Sequence, residues 1–245
     1  MLLSISVCAV ADDWVSHYYE HPTPERFIKE VRALNDAGVL SSAKTAAPLA
    51  VFLGRVMAAN PDQAGVWLTQ LNEVKSPGRD TLLLAASLSG TKTAMAYLRK
   101  QTDSSKYLKD PVDPRKMEPD QPVVLDMLWA DFFATGDSVP IRRIVYALNY
   151  DKYLGALERY KSSKKTQQDR DEALRESVFE AARWSLESNI QQHKRVAMIV
   201  EGIFLDGQIT QPERVWLAAV LSKALPEKYE LAKKQPGEWT LERRK

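Results

Sequence analysis

A single cysteine, Cys8, stands in 245 residues, so no disulfide can close within the chain and no zinc or iron–sulfur site can be built from several of its thiolates. Histidine is nearly as scarce, at three, and none lies in the HExxH arrangement of a zinc hydrolase. Charge of one sign is lacking as well. The 34 Lys and Arg against 32 Asp and Glu leave a formal net charge of +2, which provides no field to draw nucleic acid or an anionic membrane to the surface. No apolar run reaches the roughly 18 residues that a membrane-spanning helix requires. Strict two-residue alternation between turn signals is also missing, so no sheet is expected.

What is present is an ordinary globular composition, 44% hydrophobic, arranged with helical periodicity almost throughout. The chain is organised around Pro122 to Tyr150. From Val123 to Ala134 only Asp126 and Asp131 interrupt the apolar residues, which predicts a helix buried on most of its circumference. A second arm follows with Ile141, Ile144, Val145 and Leu148 at i, i+3, i+4 and i+7. Gly136 between the arms supplies the positive φ that ends a helix, Asp137 or Ser138 can cap the next, and Pro140 suits its first turn.

Before this stretch, Thr23-Pro24 opens a helix whose apolar face is Phe27, Ile28, Val31 and Leu34, with Gly38 at its end. Further helices are predicted from Pro48 to Ala59, from Pro61 with Val66, Trp67, Leu71 and Val74, after Ser76-Pro77, and after Thr91. Residues 102–121 hold Pro111, Pro114 and Pro119 among charged residues and read as a loop or linker. Beyond the central stretch, Asp151 to Lys165 continues helically. Two longer helices run from about Arg170 to Glu187 and from Ile190 to Leu205, and a final pair of arms meets at Gly207 and ends at Pro226. The expected fold is all-α, about ten helices in stacked antiparallel αα hairpins, solenoid-like or an irregular bundle. Its blocks are 12–101 and 122–232, with 102–121 between them and a polar tail at 233–245. Residues 1–11, MLLSISVCAVA, end in Ala9-Val10-Ala11 and precede Asp12-Asp13. They read as a truncated secretory signal peptide or as an apolar N-terminal turn.

Three helix junctions are alike: Leu88-Ser89-Gly90, Ala134-Thr135-Gly136 and Leu205-Asp206-Gly207. Recurrent hairpins of this kind resemble the tetratricopeptide- and HEAT-like helical-repeat class, and the resemblance implies a curved surface that binds proteins or peptides.

Candidate sites are few. Asp206-Gly207-Gln208-Ile209-Thr210-Gln211-Pro212-Glu213 matches the second half of a calcium-binding EF-hand loop, but Gly202 and Phe204 stand where its first carboxylates belong. The same segment is similar to the Asp-Gly-x-Ile-x-x-x-Glu turn of tellurite-resistance TerB-like helical domains, over this hairpin alone. A structural reading serves equally, because Thr210-x-x-Glu213 is a capping box; Asp206 and Glu213 remain the only metal candidates. His17 and His21 lie at i, i+4 without a third ligand, and His193 reads as solvated. Ser89-Gly90-Thr91-Lys92-Thr93 ends like a phosphate loop, but position 85 is alanine and the run follows a helix, so no cofactor is expected. Asp126 and Asp131 lie five apart, about 140° around a helix, so they share no obvious site, and one is free to pair with an arginine of a neighbouring helix. Aromatic anchors for a partner are Trp129, Tyr146, Tyr150 and Tyr153. With no catalytic constellation, the expectation is an exported, non-catalytic scaffold for a protein or peptide. The alternatives are a helical hydrolase or lipid-acting enzyme using cleft carboxylates, and a divalent-metal-responsive domain.

Overall fold

The computed structural model describes residues 9–102, 104–109, 111–162, 166–235 and 238–244. The chain is all-α: it is 72% helical, and twelve α-helices lie among the described residues. None of the described helices is long and apolar enough to cross a membrane. Of the leader-like stretch, residues 1–8, Cys8 among them, lie outside the described residues, and Ala9 opens the first helix. Two compact units are present. The first holds the described residues up to Met117 together with Asp126–Asp137, and the second holds Glu118–Leu125 and the described residues from Ser138 onward.

The first unit contains α1 (Ala9–His17), α2 (Phe27–Asp36), α3 (Ala46–Ala59), α4 (Pro61–Gln70), α5 (Gly78–Ser89), α6 (Lys92–Arg99) and the larger part of α7 (Pro122–Thr135). The apolar stripe of α2 is buried through Phe27, Val31 and Leu34. In α3 the stripe Leu49, Phe52, Leu53, Val56 and Met57 is buried together with Pro48, Ala50 and Val51, so that helix is covered nearly all round. An aromatic cluster fills the space between α1, α2, α3 and α4. The Trp14 ring meets Tyr18 and Phe52 edge-on at 5.5 and 5.1 Å between centroids, and Phe27 stacks on Trp67 at 4.3 Å. Thr23 does not cap the helix it precedes. Its hydroxyl instead accepts a hydrogen bond from the Trp14 indole nitrogen at 3.1 Å, which leaves that buried indole satisfied.

Residues 104–109 and 111–117 belong to this unit. They form short 3-10 turns at Ser105–Tyr107 and Pro114–Lys116. Ser87 donates to the Tyr107 carbonyl at 2.5 Å and the Tyr107 hydroxyl donates to Asp80 at 2.5 Å, so α5 grips the segment at two points.

The second unit contains α8 (Ser138–Tyr146), a 3-10 turn Ala147–Tyr153, α9 (Ala156–Ser162), α10 (Gln167–Gln192), α11 (Lys194–Asp206) and α12 (Gln211–Ala224). The face predicted for α8 is buried, through Ile141, Ile144 and Val145, with Leu148 beyond it. Three departures from the periodicity have local causes. The helix expected over Asp151 to Lys165 breaks because Gly155 takes φ +84°. α10 begins early, at Gln167, because Thr166 and Asp169 form a capping box. It also continues through Ile190 and stops at His193, whose extended backbone separates it from α11.

A further departure is a β-hairpin in the segment read as a polar tail. β1 (Tyr229–Gln235) pairs antiparallel with β2 (Glu238–Arg243), placing Leu231 opposite Leu241. Its backbone ladder needs little alternation in sequence, and the hairpin packs beside α12.

The glycine junctions share one conformation, with φ of +61° at Gly90, +65° at Gly136 and +73° at Gly207. Gly54 serves a different purpose. A Cβ there would lie 2.9 Å from the Ala85 carbonyl oxygen and 3.0 Å from the Leu88 Cβ, so the missing side chain sets how closely α3 approaches α5. Gly202, by contrast, faces open space, with nothing within 4 Å of an added Cβ. The same substitution therefore has opposite signs at these two helical glycines. Gly54→Ala is expected to lower stability in urea unfolding by about 1–3 kcal/mol, and Gly202→Ala to raise it by up to about 1 kcal/mol.

Candidate functional site

In the first unit the side chain that needs most from its surroundings is Asp131, on α7. It has no exposure to solvent, and an ionised carboxylate removed from water is costly unless cations and donors surround it. Arg115 grips it with two parallel bonds, Nε to Oδ2 at 2.8 Å and Nη2 to Oδ1 at 2.7 Å. Arg55, from α3, reaches Oδ2 from Nη2 at 2.8 Å and from Nε at 3.1 Å. The arginines are then shared outward, Arg55 to Asp113 at 2.7 Å and Arg115 to Asp137 at 2.8 Å. Hydrogen bonding to Asp131 holds the Arg115 charge well above its ordinary range. The pairing of a hub aspartate with an arginine of a neighbouring helix was legible in sequence. Arg115, inside the segment read as a loop, was not.

Asp126 sits on a different part of α7 and has no such partners among the described contacts. Burial pushes its carboxyl up to about 6. The two carboxylates of the enzyme alternative therefore have different settings: one is held by two arginines, the other is half-buried and reluctant to ionise.

In the second unit three of the four proposed anchors come together. Tyr146 ends α8 and is 38% exposed, while Tyr150 in the following 3-10 turn is 6% exposed. Their rings meet edge-on at 6.3 Å, and Tyr153 tilts against Tyr150 at 6.1 Å. With three residues per turn, Tyr150 and Tyr153 fall on one side of the 3-10 turn, which brings their rings together. Cations lie over the ring faces: the Arg143 guanidinium over Tyr146 at 5.4 Å, with Arg175 and Lys152 over Tyr153 at 5.5 and 5.3 Å. Acids complete the cluster. The Tyr150 hydroxyl donates to Glu118 at 2.5 Å, Arg143 lies 3.9 Å from the same carboxylate, and Arg175 lies 3.9 Å from Asp120. Burial, and then the hydrogen bond to Glu118, push the Tyr150 hydroxyl above its ordinary range, so it remains a neutral donor. Trp129 belongs to the first unit, where it stacks on Phe133 at 5.9 Å, and its buried Nε1 has no hydrogen-bond partner.

The other sequence candidates resolve locally. Glu213 is buried and closes the capping box, accepting from the Thr210 amide at 2.9 Å while Thr210 accepts from the Glu213 amide at 3.3 Å; it also accepts from Asn149 at 3.0 Å. Asp206 is exposed at the end of α11. His17 closes α1, and His21 lies beyond the helix in a bend, so the two do not share a helical face. His193, read as solvated, is 2% exposed. It stands at the break between α10 and α11.

The two hub carboxylates should respond oppositely to removal. Asp131→Ala strands two arginines and is expected to cost about 3–5 kcal/mol. Asp126 is the reverse: because its folded carboxyl titrates near 6 and an unfolded one at about 4, the stability it confers is complete below that lower value and is lost as pH rises through the upper one. Asp126→Asn should match the parent at pH 4 and exceed it at pH 7 by on the order of 1–2 kcal/mol, as read by urea unfolding at the two pH values. Comparison with known proteins adds no assignment: no family model, no curated protein and no solved structure matches the chain.

Proposed function

We propose that this chain is a non-catalytic helical-repeat scaffold that binds a protein or peptide segment, and that it does so through the Tyr146, Tyr150 and Tyr153 cluster. The observation that carries the reading is the composition of that cluster. Aromatic rings held edge-on, faced by guanidinium groups and only partly exposed, are what concentrates binding energy at interfaces, since they present large area at low entropic cost. Flanking acids orient the arginines without burying them. The fitting partner is an extended segment that offers an aromatic or apolar side chain to the rings and a carboxylate to Arg143 or Arg175. The helical-repeat class, tetratricopeptide- or HEAT-like, supplies the precedent for such surfaces.

The enzyme alternative keeps one observation in its favour, the Asp126 carboxyl raised into the range useful for proton transfer. The metal-responsive alternative would have to take Glu213 from its cap and from Asn149, which makes it the weakest of the three.

Selection of random displayed peptides on the full chain tests the binding reading. Enriched peptides should share an aromatic next to an acid, and Tyr146→Ala should weaken a selected peptide by roughly tenfold or more, with Arg175→Ala also weakening it. No enrichment, or peptides indifferent to both substitutions, would sink it.

Export is the second part of the proposal. It rests on the small-x-small end of the apolar leader at Ala9-Val10-Ala11. A mature chain starting at Asp12 would keep Trp14 and Tyr18, the aromatic residues of this region that enter the core. Mass and N-terminal sequencing of the protein from fractionated cells should give Asp12 in the envelope fraction. An intact Met1 in the cytosol would refute export.

A further inference from the structure

The chain supplies its own acids to the tyrosine cluster, and they lie two residues apart. Glu118 accepts from the Tyr150 hydroxyl at 2.5 Å and comes within 3.9 Å of Arg143, while Asp120 comes within 3.9 Å of Arg175. The charge of Asp120 is felt at Tyr150 as well. Between the two acids stands Pro119, which is buried. Residues 118–120 belong to no helix, strand or turn, and Met117 before them is extended, with φ −73° and ψ 146°. An extended backbone advances about 3.3 Å per residue and returns its side chains to one side every second residue, so one short stretch serves both arginines.

These contacts are of unequal quality. The Tyr150 bond is short, but at 3.9 Å an arginine and a carboxylate form an ion pair without a hydrogen bond. Both acids keep contact with water, at 51% side-chain exposure for Glu118 and 35% for Asp120, and exposed pairs of this kind are weak. Among the described residues Arg175 has no hydrogen-bond acceptor, and it is set over the Tyr153 ring. A guanidinium carries its donors in a planar fork that fits a carboxylate at two points, and at Arg175 that fork is unused. Asp131 shows the same chemistry fully engaged, with Arg115 on it at 2.8 and 2.7 Å.

We propose that Glu118-Pro119-Asp120 is a resident stand-in for the partner: the segment bound here is extended, carries two acids separated by one residue, and takes Arg143, Arg175 and the Tyr150 hydroxyl from Glu118 and Asp120. This rests on the tyrosine cluster being a binding surface, as proposed above, and it names what that surface takes. The two acids match the two arginines, and a proline between them keeps the strand extended at low entropic cost. A segment with a single acid engages one arginine and leaves the other to the resident, so the acid pair decides which partner is accepted. The resident also sets the threshold for binding. Incoming acids displace carboxylates already at the arginines, so the apparent dissociation constant rises by the inverse of the fraction of chains in which the cluster stands open.

The probe is a fluorescein-labelled synthetic peptide of residues 117–122, the sequence MEPDQP, titrated with the full chain and read by fluorescence anisotropy. Glu118→Gln with Asp120→Asn removes the resident charges from the chain while keeping their shape, and circular dichroism checks that the fold is retained. The peptide should bind this variant about tenfold or more tighter than it binds the parent, as release of a site occupied about nine-tenths of the time requires. Adding Arg175→Ala to the variant should undo the gain, and the same peptide with both acids replaced by amides should not bind. Asp120→Asn alone, which gives up only the 3.9 Å pair, should give part of the gain. No binding to the vacated variant, or equal affinity for variant and parent, overturns the stand-in. A displayed peptide that needs Tyr146 but binds parent and variant alike overturns the stand-in and keeps the cluster as a binding surface. A segment peptide that binds the variant irrespective of Tyr146→Ala and Arg175→Ala overturns both.

Discussion

A carboxylate with no water around it stays ionised only if cations are brought to it, and the first unit meets that requirement at Asp131. The demand reaches far along the chain. Arg55 comes from α3, Arg115 from the proline-rich segment, and both are shared onward with Asp113 and Asp137. The five side chains carry two positive and three negative charges, a net of 2 − 3 = −1, so the arginines are fully used. A segment that packs little apolar surface of its own is thereby held in place by geometry, since a planar guanidinium on a carboxylate fixes direction as well as distance. Tyr107 assists through its bond to Asp80. Buried ion pairs of this kind contribute little net stability relative to apolar packing, but they tolerate no missing partner.

Helix ends are managed by two recurrent devices. Positive-φ glycines close α5, α7 and α11, each letting the chain turn without the steric penalty that a Cβ would incur. Capping boxes open α10 and α12, where a Thr hydroxyl and an acid three residues later satisfy two orphan amides. The second device explains why the turn from Asp206 to Glu213 looks like a ligand loop. Its final acid has the same place in any helix that starts with Thr-x-x-Glu, and here the Glu213 oxygens accept from the Thr210 amide and from Asn149.

Aromatic residues divide by what surrounds them. Trp14, Tyr18, Phe27, Phe52 and Trp67 pack on one another within the core, where they contribute buried area. Tyr146, Tyr150 and Tyr153 meet cations and acids instead. The division does not follow the units, since Phe179 packs edge-on against Trp216 in the second and Tyr107 of the first meets Lys106 and Asp80.

The sequence by itself determined the helices and most of their ends. Apolar spacing located α2, α3, α7 and α8, and Gly90, Gly136 and Gly207 marked three junctions, because periodicity and φ preference act over a few residues. Local chemistry also foresaw the Thr210 and Glu213 cap. Tertiary structure decided the rest. It set Arg115 on Asp131 across sixteen positions and Arg55 across seventy-six, buried His193 at a helix break, drew Thr23 away from its cap to the Trp14 indole, and paired Leu231 with Leu241 in a hairpin. It also stacked Trp129 on Phe133. Such choices depend on which faces meet after the helices pack, and a linear pattern records the faces but not their partners.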